Sequence, residues 1–454
     1  MSEIALLIHN ARLVSENIDA RGWLAVGPDG DIARLGADDA PSELIDSASE
    51  VLDAGGDMLL PGAIDGHVHF RDPGLTHKAD IATESRAAVA GGVTSYIDMP
   101  NTAPQTTTMC DLEAKMARAA GVSVANYAFY LGATNSNLPE LLAADYTRVA
   151  GVKLFLGSST GNMLVDNPDS LREIFTRVPA LIAVHAEHEA TIAENRRRLV
   201  AELGDDIPVE RHSDIRDRRA CLISTRAAVS LARQTGARLH VLHVSTSDEL
   251  SLFTPGPVAD KRVTAETCPQ YLVFSRDDYA SRGSRIKCNP AVKDAADRDA
   301  LRQALLDGVI DCVATDHAPH LLSEKQGNAL TAVSGMPMIQ FSLPMMLTLT
   351  LSTPLTPALV VRLMAHNPAE LYGVERRGFL RPGYRADLTL VRREDWTVTD
   401  ADVLSRCRWT PLDGLSLGFR VVATWVNGRR AFPAPPSGAP CGEPLRFAPP
   451  RPHS

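Results

Sequence analysis

No apolar run in this chain approaches the ~20 residues that a membrane-crossing helix needs. There is no long basic run either, and the formal net charge is -9, so nucleic acid is not an expected partner. The seven cysteines include no Cys-x-x-Cys pair, which argues against a disulfide framework and for reduced thiols in a cytoplasm. The opening Met1-Ser2-Glu3-Ile4 lacks the basic start and apolar core of a signal peptide. What is there is an ordinary globular composition, 44% hydrophobic and 22% charged over 454 residues. That length predicts one large domain with a smaller satellite, in the cytoplasm.

The two ends of the chain share a pattern. Residues 4 to about 56 read as short strands and turns, with apolar runs at 4–8 and 23–26 and a turn at Gly27-Pro-Asp-Gly30. The pattern returns at 386–391 and 420–426, before the turn Asn427-Gly428. One small β-sandwich domain built from both ends is predicted, with residues 1–57 and 373–432 as its halves. The stretch 433–454 is rich in proline and is expected to be loosely ordered. Between these ends, over 58–372, lie eight apolar strand candidates: 58–70, 93–100, 123–132, 149–156, 180–187, 238–245, 262–269 and 309–317. Helical periodicity falls at 78–91, 108–120, 169–177, 215–235 and 294–307. Such alternation predicts the α/β class and a (β/α)8 TIM barrel, with a doubly wound sheet as the alternative.

Polar residues fall at the ends of these strands, where a barrel of this kind keeps its site. His67-Val68-His69 closes the first. Residues two apart on a strand face one side, so both imidazoles can reach one metal ion. Alone, the pair reads equally well as two structural histidines. Lys153 lies in strand four, His185 ends strand five, His243 strand six and Asp316 strand eight. Polar groups ending five apolar strands are hard to explain as core packing. Lys153 is flanked by Val152, Leu154 and Phe155, where an ammonium reaches for solvent or an ion pair. Beside metals, its free amine can instead add carbon dioxide and become a carbamate. Two divalent cations are expected: one on His67, His69 and Asp316, the other on His185 and His243. Carboxylated Lys153 and a hydroxide would bridge them. This arrangement suits hydrolysis of an amide-like bond, with Asp316 carrying the proton to the leaving nitrogen. His240 reads as a supporting or packing histidine.

The order His-x-His, Lys, His, His, Asp resembles the amidohydrolase superfamily. Within it, His67-Val-His-Phe-Arg-Asp-Pro-Gly74, Asp98-Met-Pro-Asn-Thr102 and Asp316-His-Ala-Pro-His320 are similar to the dihydroorotases. The resemblance covers almost the whole chain. It implies two zinc ions, the carboxylated lysine, and the interconversion of N-carbamoyl-L-aspartate and L-dihydroorotate in pyrimidine synthesis. It also implies that Arg71 and Asn101, helped by His320, bind the substrate's carboxylate, the guanidinium as a fork and the amide as a donor. Asn289 would contact the ring's amide edge, or is an ordinary loop residue. A small-molecule substrate and a homodimer, common in such families, are the implied partners.

There are departures. Gly335-Met-Pro-Met-Ile-Gln340 replaces the Gly-Phe-Pro-Gly-like turn of many dihydroorotases, which leaves the ring-facing backbone contacts there open. The loop Gly157–Met163 reads as a mobile lid or as a plain connector. The rival readings are a dihydropyrimidinase or hydantoinase, whose substrates lack the carboxylate, an allantoinase with a ureido substrate, and a catalytically silent scaffold. Arg71 with Asn101 favours the dihydroorotase reading, and no metal ligand is missing, as it would be in a silent homologue.

Overall fold

The computed structural model of the protein describes residues 4–157, 163–434 and 439–450. Residues 158–162 of the candidate lid loop lie outside the described residues. The chain opens with β1 (Ile4–Ser15), β2 (Ile18–Val26), β3 (Ile32–Ala37), β4 (Ala48–Asp53) and β5 (Met58–Pro61). Then come the barrel strands β6 (Ala63–Val68), β7 (Val93–Asp98), β8 (Asn126–Phe129), β9 (Leu131–Gly132), β10 (Val152–Phe155), β11 (Ile182–His185), β12 (Leu239–Val241), β13 (Val263–Thr267) and β14 (Cys312–Val313). Finally β15 (Leu388–Thr397), β16 (Ser416–Val426) and β17 (Arg429–Phe432) return to the first group.

The terminal strands form one sheet in the order β17-β16-β15-β5-β1-β2-β3, with β4 on β1. Its two halves meet where β15 pairs antiparallel with β5, Leu388 opposite Pro61. A cluster of Leu6, Ile8, Leu24, Leu388, Leu390 and Trp425 fills the space between early and late strands, so neither half buries its apolar face without the other. The run 58–70, read from sequence as a single barrel strand, is two strands. Pro61 and Gly62 break it: a Cβ at Gly62 would stand 2.1 Å from the Thr94 hydroxyl oxygen, so only glycine passes there.

The barrel strands pair in parallel as β6-β7-β8 and β9 through β14. The β8 and β9 segments are joined by one residue, and the ring closes where Val68 bridges His317 and the His69 N–H donates to the His317 carbonyl at 2.8 Å. This closure rules out a doubly wound sheet. The fold is an α/β barrel with a β-sandwich built from the chain ends. Helices at Ile81–Ala90, Met109–Ala120, Pro168–Arg177, Arg218–Thr235 and Ala295–Leu306 cover the strands. Asp80 and Thr108 begin the first two with reciprocal capping bonds to Thr83 and Asp111. The helix Glu189–Leu203 carries no strong apolar stripe, only Ile192 and Leu199 among its large buried side chains, and periodicity alone misses it.

Residues 439–450 are not loosely ordered, contrary to the compositional expectation. The Leu445 N–H donates to the Tyr127 carbonyl at 2.8 Å, and the Phe447 N–H to Thr147 at 3.0 Å. Leu445 and Phe447 are buried with Ala128, Ile64 and Tyr372. Prolines hold the segment extended along the edge of β8 while its apolar side chains pay the ordering entropy. Replacing Phe447 by Ala should therefore cost about 3 kcal/mol of stability, read from denaturant unfolding; a loss indistinguishable from zero would show that the docked tail is dispensable.

Candidate active site at the barrel mouth

The ten residues singled out from sequence line one cavity of ≈ 510 Å³: His67, His69, Arg71, Asn101, Lys153, His185, His243, Asn289, Asp316 and His320. They arrive on, or within a few residues of, the C-terminal ends of different strands, apart from the later loops that bring Asn289 and His320. Three have left-handed backbone: Arg71 (φ 65), His243 (φ 43) and Asp316 (φ 48). Side chains of this size rarely adopt that conformation, and it is found where packing forces a group toward a site.

The hydrogen bonds fix which ring nitrogens are bare. His67 Nδ1 lies 2.6 Å from Glu266 Oε1 and His69 Nδ1 lies 2.8 Å from Asn101 Oδ1. Both partners accept and lie closer than the Asp316 oxygen on the far side of each ring, which favours the proton on Nδ1 and a lone pair on Nε2. Those lone pairs meet Asp316 Oδ1 at 3.2 and 3.1 Å. Burial lowers the proton affinity of His67 and His69, which disfavours a proton as the bridge. Three converging acceptors with their ligand atoms within 4.8 Å of one another are a fitting set for a cation. On the next strands, His185 Nε2 meets Glu187 Oε2 at 3.0 Å, and its Nδ1 lies 2.8 Å from His243 Nε2. Lys153 is buried beside Phe155, its ammonium 4.6 Å from the ring centroid. Burial brings its pKa down to about 7, partly offset by Asp316 and Glu266. The same charge depresses protonation of His67, His69 and His243, so Lys153 stands among both histidine groups.

Sequence reasoning passed over the groups that hold these side chains. Glu266 on β13 binds His67 with one oxygen and His240 Nε2 with the other, at 3.1 Å. His240 in turn meets the Thr264 hydroxyl at 2.9 Å, which makes it the supporting residue that its inward position suggests. Asp65 accepts from the His67 N–H, the Thr315 N–H and the Thr315 hydroxyl, tying β6 to the residue before Asp316. Glu187 pairs with Arg216 as well as His185. Strand parity flags Glu187, two residues after His185, and a carboxylate inside the apolar run 263–267 is the signal for Glu266.

The other side of the cavity is cationic. Arg71 donates to the Pro319 carbonyl at 3.2 Å and meets His320 Nε2 at 2.9 Å. Lys78 Nζ lies 3.1 Å from His320 Nδ1. Among the described residues Arg71 has no carboxylate at ion-pair distance. Lys78 also pairs with Glu324 Oε1 at 2.8 Å, so its charge is met, whereas Arg71 has only the Pro319 carbonyl and the His320 ring as partners. The segment 335–340 faces the cavity only at its start. The N–H groups of Met338 and Ile339 donate to His317 Nδ1 at 3.0 and 3.3 Å, and Gln340 bonds Asp402 and Leu404. At Gly335 (φ 136) a Cβ would come within 2.6 Å of the Ala318 carbonyl oxygen.

Residues 58–431 match the model of the Amidohydrolase family. The chain belongs to the amidohydrolase family. It is 35% identical to an allantoinase of Streptomyces avermitilis over 440 residues, 95% of this chain and 96% of that one. It is 36% identical to a dihydroorotase of Halobacterium salinarum over 382 residues, 83% of this chain and 87% of that one. The solved L-hydantoinase (dihydropyrimidinase) from Arthrobacter aurescens superposes with a TM-score of 0.86 at 29% identity, covering 98% of each chain. As an amidohydrolase the protein is a metal-binding hydrolase acting on cyclic amides. No helix among the described residues is long and apolar enough to cross a membrane.

Glu266 orients an imidazole through the nitrogen that faces away from the candidate metal position. Converting Glu266 to Gln should weaken metal affinity about 10–100-fold, measured by competition with a chromophoric chelator. Unchanged affinity would mean that His67 needs no such partner.

Proposed function

We propose that the protein is a dihydroorotase, cyclising N-carbamoyl-L-aspartate to L-dihydroorotate and reversing that step. The observation that carries this reading is the partly buried Arg71 guanidinium, which has no carboxylate partner among the described residues and sits against His320 beside the candidate metal position. A substrate carboxylate supplies the missing acceptor. The Asn101 carboxamide, its oxygen held by His69, would present its N–H2 group to the same carboxylate. Arg196 and Lys287 also line the cavity, where Glu189 is the one carboxylate besides Asp316, while Arg216 is paired with Glu187; the balance favours an anionic ligand.

His67, His69 and Asp316 would hold one zinc ion and His185 and His243 a second, with carboxylated Lys153 between them. When bound, two such cations would polarise the reacting carbonyl and lower the pKa of a water near neutral pH. Burial makes the unprotonated amine of Lys153 accessible near pH 7, the form that adds carbon dioxide. Asp316 Oδ1 faces the two bare imidazole nitrogens and would join them on the cation, and its other oxygen would carry the proton. In hydrolysis that oxygen takes a proton from the attacking water and delivers it to the ring nitrogen as the C–N bond breaks. In cyclisation the ureido nitrogen would bond to the side-chain carboxyl carbon as one carboxylate oxygen leaves. Asp316 would take the nitrogen's proton and pass it to that oxygen, which departs as water with a second proton from solvent. Burial pushes the Asp316 carboxyl above the usual carboxylate range, toward the proton affinity that such a shuttle requires.

An allantoinase is the second reading, favoured by the end-to-end match to the Streptomyces avermitilis protein. Turnover of dihydroorotate, allantoin, hydantoin and dihydrouracil by the same preparation separates the readings. Dihydroorotate should be preferred, and Arg71→Ala should lower its kcat/KM by roughly 100-fold or more while sparing rings without a carboxylate. Preferred turnover of allantoin, or equal losses on all rings, would refute the assignment. Separately, intact-mass measurement under native conditions should show one added carbon dioxide per chain, absent from Lys153→Met. A plain amine in metal-replete protein would refute the bridge.

A further inference from the structure

We propose that His212 is a positioning residue that locks the Asn289 carboxamide with its N–H2 group toward the cavity, and so selects rings that present a carbonyl oxygen at that wall. The proposal rests on the reading that Asn289 meets the substrate ring.

His212 is 3% exposed, at the start of the short helix His212–Ile215. Its Nε2 lies 3.0 Å from the Cys288 carbonyl oxygen and 3.1 Å from Asn289 Oδ1. A backbone carbonyl can only accept, so Nε2 carries the proton. The Asn289 atom facing that N–H is then necessarily its oxygen, whichever way the amide is drawn. The amide nitrogen is left for the cavity, which Asn289 lines. His212 cannot reverse this polarity by changing form. Its Nδ1 is buried and meets no hydrogen-bonding partner among the described residues, so the other tautomer would strand a proton there and leave two acceptors facing a lone pair. Burial, with Lys287 and Arg216 nearby, also keeps the ring from taking a second proton.

The rest of the turn is held independently of His212. Buried Lys325 donates to the carbonyls of Lys287, Val333 and Gly335 at 2.8, 2.8 and 2.9 Å. The Gly335 N–H also donates to Lys287, at 2.9 Å, and the Tyr271 hydroxyl to Pro290 at 2.7 Å. Loss of the imidazole N–H therefore frees the Asn289 carboxamide and the Cys288 carbonyl, while the bonds to Lys287 and Pro290 still hold the backbone on either side. A freed carboxamide presents oxygen or nitrogen indifferently, and discrimination between acceptor and donor on the substrate is what disappears.

The experiment uses the metal-loaded full chain and two ligands: dihydroorotate, and the analogue in which C=NH replaces the ureide carbonyl. The wild-type protein should discriminate against the imino analogue, compared through KM and inhibition constant. His212→Phe, which keeps a flat ring and removes the donor, should raise KM for dihydroorotate roughly tenfold with a smaller change in kcat, and narrow the discrimination by a similar factor. His212→Gln, which restores an N–H, should recover the discrimination. Metal content should stay at the wild-type value in both variants, and His212→Phe should remain folded with a lower Tm, since two acceptors lose their donor. An unchanged ratio in His212→Phe overturns the proposal, whatever happens to kcat. Failure of the wild-type protein to process dihydroorotate at all would instead refute the assigned substrate. The same ratio is then read on allantoin or hydantoin, whichever is turned over, against its imino analogue.

Discussion

Acceptor faces acceptor at the mouth of this barrel, and most of the molecule can be understood as the scaffold that keeps it so. The bare nitrogens of His67 and His69 point at one oxygen of Asp316, in a setting that discourages protonation. Buried lone pairs held at such distances are unfavourable unless positive charge lies among them. The scaffold prevents relaxation. Glu266 and Asn101 hold the far side of each imidazole, and Asp65 ties the strand carrying His67 to the residue before Asp316. Asp98, paired with buried Lys115, accepts from the Phe70 N–H and fixes the backbone just beyond His69. A metal bound there replaces repulsion with coordination, and the affinity it gains was prepared by folding.

The backbone tells the same story. Arg71, His243 and Asp316 all lie just past strand ends, where the extended chain has to turn sharply into a loop. Left-handed geometry at these points redirects the side chains inward within one or two residues of the sheet. Glycine would turn more easily, but the position has to carry a functional group, so the local strain is borne by the packed strands beneath. Each such turn is stabilised by contacts elsewhere in the barrel, which is consistent with a fold whose core is shared by all its strands.

Much of this was legible in the residues themselves. Strand parity puts His67 and His69 on one side, and polar residues ending apolar strands stand out against the composition. The alternation of apolar runs and amphipathic stretches is enough for the barrel. What escaped has a common physical form: a residue whose meaning comes from a partner far away in the chain. Glu266 is 199 positions from His67, and His212 is 77 from Asn289. A lone carboxylate in an apolar strand has no spacing that announces its partner. The proline-rich end was misread over 439–450, its residues 435–438 and 451–454 lying outside the described ones, because composition measures the absence of regular structure and does not register Leu445 and Phe447 lying against β8. The run 58–70 was read as one strand because Pro61-Gly62 interrupts the hydrogen bonding without interrupting the hydrophobicity.

The docking of residues 439–450 bears on how the molecule is completed. Cys441 meets the Val124 carbonyl from 317 positions further along the chain, and Leu445 does the same for Tyr127 nearby. A ribosome adding residues in order leaves that margin of the barrel uncovered until all the barrel strands have been made. Meanwhile Tyr127 and Ala128 wait with an exposed edge, open to pairing with a neighbouring nascent chain. Closure of that seam thus follows synthesis of the barrel strands, and it falls to a stretch that does not line the cavity.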